Sequence, residues 1–392
     1  MKLAISVCAF FCSLMMIDLP DARAEGSLEG QRVVVIHDKA PLSASAIEVA
    51  KAAECSVFTV TSVQGDWLWI ASEKAYLRRE DVVPFEEAIP HYTRKLESNK
   101  TAMNYWNRAH IWRLKGELDI ALGDMNDAIR LNPKSSRWFN SRGILWRDKQ
   151  DHGKAIADYS EAIRLDPNSG DAYNNRGLSW MDKKEYEKAI ADYDQALKLK
   201  DPNQKVGVLF LDETTGGDSV AMVNSQAVTL TNRGLAWASK QNYDKAIADY
   251  EEAIRLAPKH QDPRINRRVV WEKKGEWDKV IAEYEATLKE GSPTAATCNE
   301  LAWLRATCRD EKFRNGRQAV EYATKACELT AWKEAINLDT LAAAYAEAGD
   351  FDKAVEWQQK GMDLAPADEK ADYESRLKLY QEKKPYRQQP AQ

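Results

Sequence analysis

The sequence carries no excess of positive charge: 56 Lys and Arg face 61 Asp and Glu in 392 residues, a formal net charge of −5. Without a basic field to neutralise phosphates, nucleic acid is excluded as a partner. Histidine is scarce, and its five copies, His37, His91, His110, His152 and His260, are scattered along the chain. There is no H-E-x-x-H, no G-x-S-x-G and no Walker-type glycine loop, so no catalytic residue, metal ligand or cofactor is assigned, and the expected activity is binding rather than catalysis. The six cysteines fit no zinc spacing. Past the N-terminus no apolar run approaches the length of a membrane span.

That N-terminus reads Met1-Lys2, then the 15-residue run "LAISVCAFFCSLMMI", then "DLPDARA" ending at Ala24. This charged, apolar, small-residue order is that of a secretory signal, and the expectation is cleavage after Ala24 and a periplasmic or secreted product. The run is short for a bilayer core of about 30 Å, so no span is expected after cleavage. Cleavage leaves Cys55, Cys298, Cys308 and Cys327 in a compartment where disulfides persist. Cys298 and Cys327 stand at similar distances from a turn near residue 312, which suggests a disulfide; the alternative is that each packs alone as a small apolar group.

Residues 25–84 contain short β-rich runs, "RVVVI", "VFTVTSV", "WLWIA" and "AYLRR", separated by turn-like text. The order "GDWLWI" followed by "AYLRREDVVP" resembles an SH3-like domain, which implies a small β-barrel with Trp67 in the place of the ligand-facing tryptophan. Arg78 and Asp81 stand where the family's proline-binding groove has proline and tyrosine. Trp67 is therefore a candidate for contact with a cell-wall ligand or, equally, a residue packed on the neighbouring helical region.

From residue 102 onward the text repeats. Pro133 and Pro167 lie 34 residues apart, as do Gly143 and Gly177, Trp112, Trp146 and Trp180, and Ala121, Ala155 and Ala189. The set Phe139, Gly143, Trp146, Ala155, Tyr159, Ala162 and Pro167 recurs as Tyr173, Gly177, Trp180, Ala189, Tyr193 and Ala196, then as Leu230, Gly234, Trp237, Ala246, Tyr250, Ala253 and Pro258. This pattern resembles the tetratricopeptide repeat. The fold implied is mainly α, a helix-turn-helix solenoid of about seven repeats preceded by the small SH3-like barrel. Its expected parts are a connecting helix at 85–101, repeats one to three at 102–203, a β-hairpin-like insertion at 204–226, repeats four to seven at 227–366, a capping helix at 367–383 and a disordered tail at 384–392. Repeat five departs from the set with Arg268, Val280 and Thr287. The insertion reads either as part of a binding face or as a hairpin folded onto its neighbours.

Within each repeat, an acid precedes the second-helix aromatic: Asp124, Asp158, Asp192, Asp249 and Glu283. An arginine stands 16 residues earlier: Arg108, Arg142, Arg176, Arg233 and Arg267. It occupies a seam position where the family prefers leucine, and a guanidinium there needs a fork-like carboxylate partner. Five intra-repeat Arg–acid pairs are therefore expected to lock the helix pairs.

Before each arginine comes a polar residue, Asn107, Ser141, Asn175, Asn232 or Asn266. This row resembles the asparagine ladder of the tetratricopeptide superhelix in O-linked N-acetylglucosamine transferases, which implies amides that hold the backbone of an extended peptide. Asn140, Asn174, Arg113 and Arg147 are placed on the same concave wall. The partner so implied is a protein or peptide, with cell-wall contact through the barrel as the alternative.

Overall fold

The computed structural model describes residues 28–388, apart from 38–39, 45–46, 53–54, 71–74, 200–204, 213–216, 259 and 291–292. The expected signal segment, 1–24, lies outside the described residues. The chain divides into two compact units, Met1–Ser225 and Gln226–Gln392. The first thus holds the β region together with the early repeats.

In the first unit, β1 (Arg32–Val35) lies between β4 (Val57–Thr59) and β8 (Val82–Pro84). A second antiparallel sheet has the order β3 (Ile47–Ala52), β2 (Ala40–Ala44), β7 (Ala75–Arg78), β6 (Trp67–Ile70), β5 (Ser62–Gln64). Alternation along β6 buries Leu68 and Ile70 with Val33, Val35, Leu42 and Leu77. Trp67 and Trp69 stay half-exposed on the other face. Gly65, at φ +62°, makes the turn into β6, and a 3-10 turn at Arg79–Asp81 precedes β8. These antiparallel sheets are consistent with an SH3-like domain.

Helix α1 (Ala88–Ser98) follows directly. Its Ala88 and Tyr92 are wholly buried in one cluster with Val34, Cys55 and Phe85 of the β region and Ile111 of α2 (Ala102–Leu114). Three antiparallel helix pairs continue the unit: α2 with α3 (Leu118–Leu131), α4 (Ser136–Asp148) with α5 (His152–Leu165), and α6 (Gly170–Asp182) with α7 (Tyr186–Leu199). Local chemistry sets their starts, since Asp151 and Ser169 accept the backbone N–H groups of Lys154 and Ala172. The turn between the helices of a pair passes through the left-handed region at Gly116, Gln150 and Lys184, with φ of +83°, +62° and +61°.

Each pair closes where a small residue meets an aromatic. A Cβ at Gly143 or Gly177 would lie 2.6 Å from the ring of Tyr159 or Tyr193, and both tyrosines are fully buried. Glycine is needed there for close approach. After α7 the insertion forms an antiparallel hairpin of β9 (Lys205–Asp212) and β10 (Gly217–Asn224).

The second unit holds α8 (Ser225–Ser239), α9 (Tyr243–Leu256), α10 (Asp262–Lys274), α11 (Trp277–Glu290), α12 (Ala295–Thr307), α13 (Gly316–Leu329), α14 (Ala335–Glu347), α15 (Phe351–Leu364) and α16 (Lys370–Gln381). A Cβ at Gly234 would likewise lie 2.5 Å from the Tyr250 ring. In repeat five the same position is Arg268, whose guanidinium lies 4.4 Å from the centre of the Tyr284 ring. The last pairs share an alanine-rich core with Ala302, Ala319, Ala323, Ala342 and Ala354. Helix α16 adds Tyr380 to it and also buries Tyr373 and Leu377; its Arg376 turns inward to Asp339, while its other charged residues face solvent.

Two expectations need correction. Residues 384–388 do not form a loose tail: the backbone N–H of Gln388 donates to the Thr307 carbonyl at 3.0 Å, and Tyr386 packs against the last core. The thiols of Cys298 and Cys327 are free and buried, with no disulfide between them. Cys327 belongs to the core shared with α14, whereas Cys298 lies in the neighbourhood of Tyr322 and Lys325. Burial raises both thiols, Cys327 to about 12, so neither is primed as a thiolate.

Candidate binding faces

The expected Arg–acid partners meet in all five repeats. Arg108 reaches Asp124 through Nε and Nη2 at 2.9 and 2.7 Å. Arg142–Asp158 and Arg176–Asp192 each form the same fork at 2.8 and 2.7 Å, and Arg233–Asp249 forms it at 2.9 and 2.6 Å. The hydrogen-bonded carboxylate holds Arg108, Arg142 and Arg176 above the ordinary arginine value against the opposing effect of burial. Repeat five is looser: Arg267 donates to Glu283 through Nη2 alone, and Arg264 approaches the other carboxylate oxygen at 3.3 Å. Glutamate's extra methylene changes the reach, so the one-to-one fork is not reproduced. These pairs are internal to the repeats, and their partners are already chosen.

The other polar row links consecutive first helices. Asn175 of α6 donates to Asn140 of α4 at 3.1 Å. Arg113 of α2 pairs with Asp148 of α4, and Arg147 of α4 pairs with Asp182 of α6 at 3.3 Å. Each rung thus joins one first helix to the next at a spacing of 35 residues, one beyond the 34-residue repeat, along one ladder face. Ser141 accepts from the Trp106 indole at 2.9 Å, and His110 stacks on Trp106 with ring centres 5.9 Å apart. Burial, helped by Arg113, lowers His110 to about 4. It is neutral at physiological pH.

Not every member of the predicted row is available. Asn107 is wholly buried, and its backbone carbonyl oxygen accepts from the Cys55 thiol at 3.6 Å. The correction has a simple cause: as the first of the row it has no preceding first helix, and the β region covers it. Asn174 is also buried, at 8% exposure, while Asn140, Asn175, Asn232 and Asn266 are half-buried. Asn232 and Asn266 lie in the second unit.

Trp67 lines an open cleft of about 520 Å³ with Asp66, Arg78, Arg79 and Glu80. The Arg78 guanidinium lies 5.3 Å from the centre of its ring. Among the described residues no group of three or more His, Cys, Asp or Glu side chains is arranged to hold a metal ion.

Sequence reasoning missed one feature of the second unit. Ring centres of Trp303 and Tyr386 are 5.6 Å apart, and Arg387 pairs with Glu347 at 2.6 Å. Only the aromatic-Arg dipeptide in the presumed tail could have signalled these contacts.

Family models of the tetratricopeptide repeat match residues 170–201, 227–260 and 338–368, and a TPR repeat model matches 143–181. No curated protein matches the chain. Among solved structures, MamA is 19% identical over 44% of this chain and 88% of that one, with a TM-score of 0.35. MamA from Desulfovibrio magneticus RS-1, from residue 41 to its end, is 16% identical over 49% and 95%, with a TM-score of 0.39. Yeast Tom70 is 17% identical over 76% and 58%, with a TM-score of 0.46. The chain carries tetratricopeptide repeats.

Proposed function

We propose that this repeat-bearing chain is an exported scaffold that binds an extended segment of a protein partner along the ladder faces of its first helices. The observation that carries the reading is the Asn140–Asn175 rung, in which half-buried amides of successive repeats meet at 3.1 Å. An amide donates and accepts at once, so a row of them can hold a peptide backbone without reading its side chains. The N-terminal text of a secretory signal supports the envelope or the medium as the place of action.

Affinity purification from the envelope fraction tests this. A chain with Asn140 and Asn175 changed to alanine should lose the partner recovered by the unchanged chain. Recovery of the same partner by both would overturn the reading.

A second reading rests on the Trp67 cleft, where an exposed aromatic edge beside Asp66 and Arg78 suits a cell-wall glycan or peptide. It predicts that the full chain sediments with purified cell wall and that Trp67→Ala abolishes this. Retention of the Trp67→Ala chain would remove it.

A further inference from the structure

Along the first unit's ladder face the rung between neighbouring helices has a fixed grammar: an arginine near the end of one first helix pairs with an acid one residue further along in the next repeat. Arg113–Asp148 and Arg147–Asp182 follow it. In the last two repeats the acid position is Glu347, but the arginine position is Ala306. That rung has lost its first-helix cation.

The missing cation arrives from elsewhere in the chain. Arg387 donates through Nη2 to Glu347 at 2.6 Å and through Nη1 to the carbonyl of Ala306 itself at 3.4 Å. It therefore takes the place an arginine at 306 would have filled. Tyr386 lies against Trp303, one turn earlier on α12, with Arg376 of α16 reaching toward the ring at 5.7 Å. The N–H of Gln388 then donates to the Thr307 carbonyl at 3.0 Å. A short non-helical segment of chain is thus held by an aromatic contact, a charge-assisted fork and a backbone hydrogen bond. These are the three kinds of contact with which a peptide groove grips a ligand.

We infer that the α12–α14 face is a binding site for an extended peptide bearing an aromatic residue followed by arginine, and that residues 385–388 occupy it in cis as an internal competitor. The inference rests on the reading that first-helix faces bind peptides, and adds the ligand chemistry and the means of regulation. Glu347 supplies the selectivity. Its carboxylate also accepts from Arg314 at 2.9 Å, which fixes it in position for a second guanidinium, and only a fork-like cation matches both its oxygen and the nearby carbonyl. A segment tethered to α16 has an effective concentration on the order of millimolar, so an outside peptide must bind well or arrive in excess to displace it.

The test uses the full chain and a synthetic peptide of residues 384–390. In the Tyr386→Ser/Arg387→Glu chain the tail is repelled by Glu347, and the peptide should bind at least tenfold more tightly than to the unchanged chain. A peptide with glutamate in the place of Arg387 should bind neither. Equal affinity for the two chains, or no binding to either, overturns the inference. Hydrogen exchange gives an independent readout: the amide of Gln388 should be protected in the unchanged chain and exchange at least tenfold faster after Arg387→Ala, and an unprotected amide in the unchanged chain overturns it as well. Failure here is separable from failure of the scaffold reading, because partner recovery through Asn140 and Asn175 concerns the other unit and leaves the tail intact.

Discussion

Repeats two and three differ from repeat seven in what fills the same places. In the former, glycine meets a buried tyrosine, and arginine forks onto aspartate. In the latter, Ala342 replaces the glycine, Leu341 the arginine, Trp357 the aspartate and Gln358 the tyrosine. Its polar network is instead Asp339 with Gln358 and with Arg376 of α16, each at 2.7 Å. Early repeats are locked from within; the last is locked in part by chain that lies outside the repeat. Faithful letters mark the frame, and the departures mark where something other than the next repeat must be met.

The sharpest way to break this comparison is at the glycine. Gly177→Val should cost about 3 kcal/mol and lower the melting temperature markedly, because the new side chain enters the fully buried Tyr193 ring and neither can move away cheaply. The equivalent exchange in repeat seven, Ala342→Gly, should cost only about 1 kcal/mol of helix propensity plus a small void. Similar losses for the two in chemical denaturation would remove the distinction between the repeats.

Next in size is the ion pair. Asp192→Ala strands the guanidinium of Arg176, whose side chain is 22% exposed, and should cost about 2 kcal/mol, less than a fully buried pair would lose. Arg176→Met with Asp192→Leu removes both charges, and its melting temperature should stay close to that of the unchanged chain. If the single and double variants melt together, the forks are not what locks the pairs.

The smallest effect sharpens the turn. Lys184 stands at φ +61° where Gly275 occupies the matching turn of repeat five at φ +72°. Lys184→Gly should therefore raise stability by up to about 1 kcal/mol, since the left-handed conformation carries no Cβ penalty in glycine. Gly275→Lys should lower it by a comparable amount. Thermal melts of the two variants read the sign directly.

Much of this was legible in the letters. The 34-residue period places the helices, their turns and the seam residues, because each helix pair is a local object whose contacts lie within one period. The Arg–acid partners could be named for the same reason: 16 residues is the distance between facing positions of an antiparallel pair. Asn107 could not be read correctly, although its text matches Asn175, since its burial depends on β strands that precede it by tens of residues. Nor could the segment after α16, whose composition is that of a solvated tail.

The sequence by itself determined the repeat unit, its internal locks and the hairpin that interrupts the array, all products of short-range spacing and side-chain size. Only the tertiary structure decided which members of the polar row stay open and which are covered. It alone brought Arg387 to Glu347. A periodic sequence repeats its local contacts but cannot say what meets its ends, because contacts there are made by non-repeating segments whose approach depends on the whole fold.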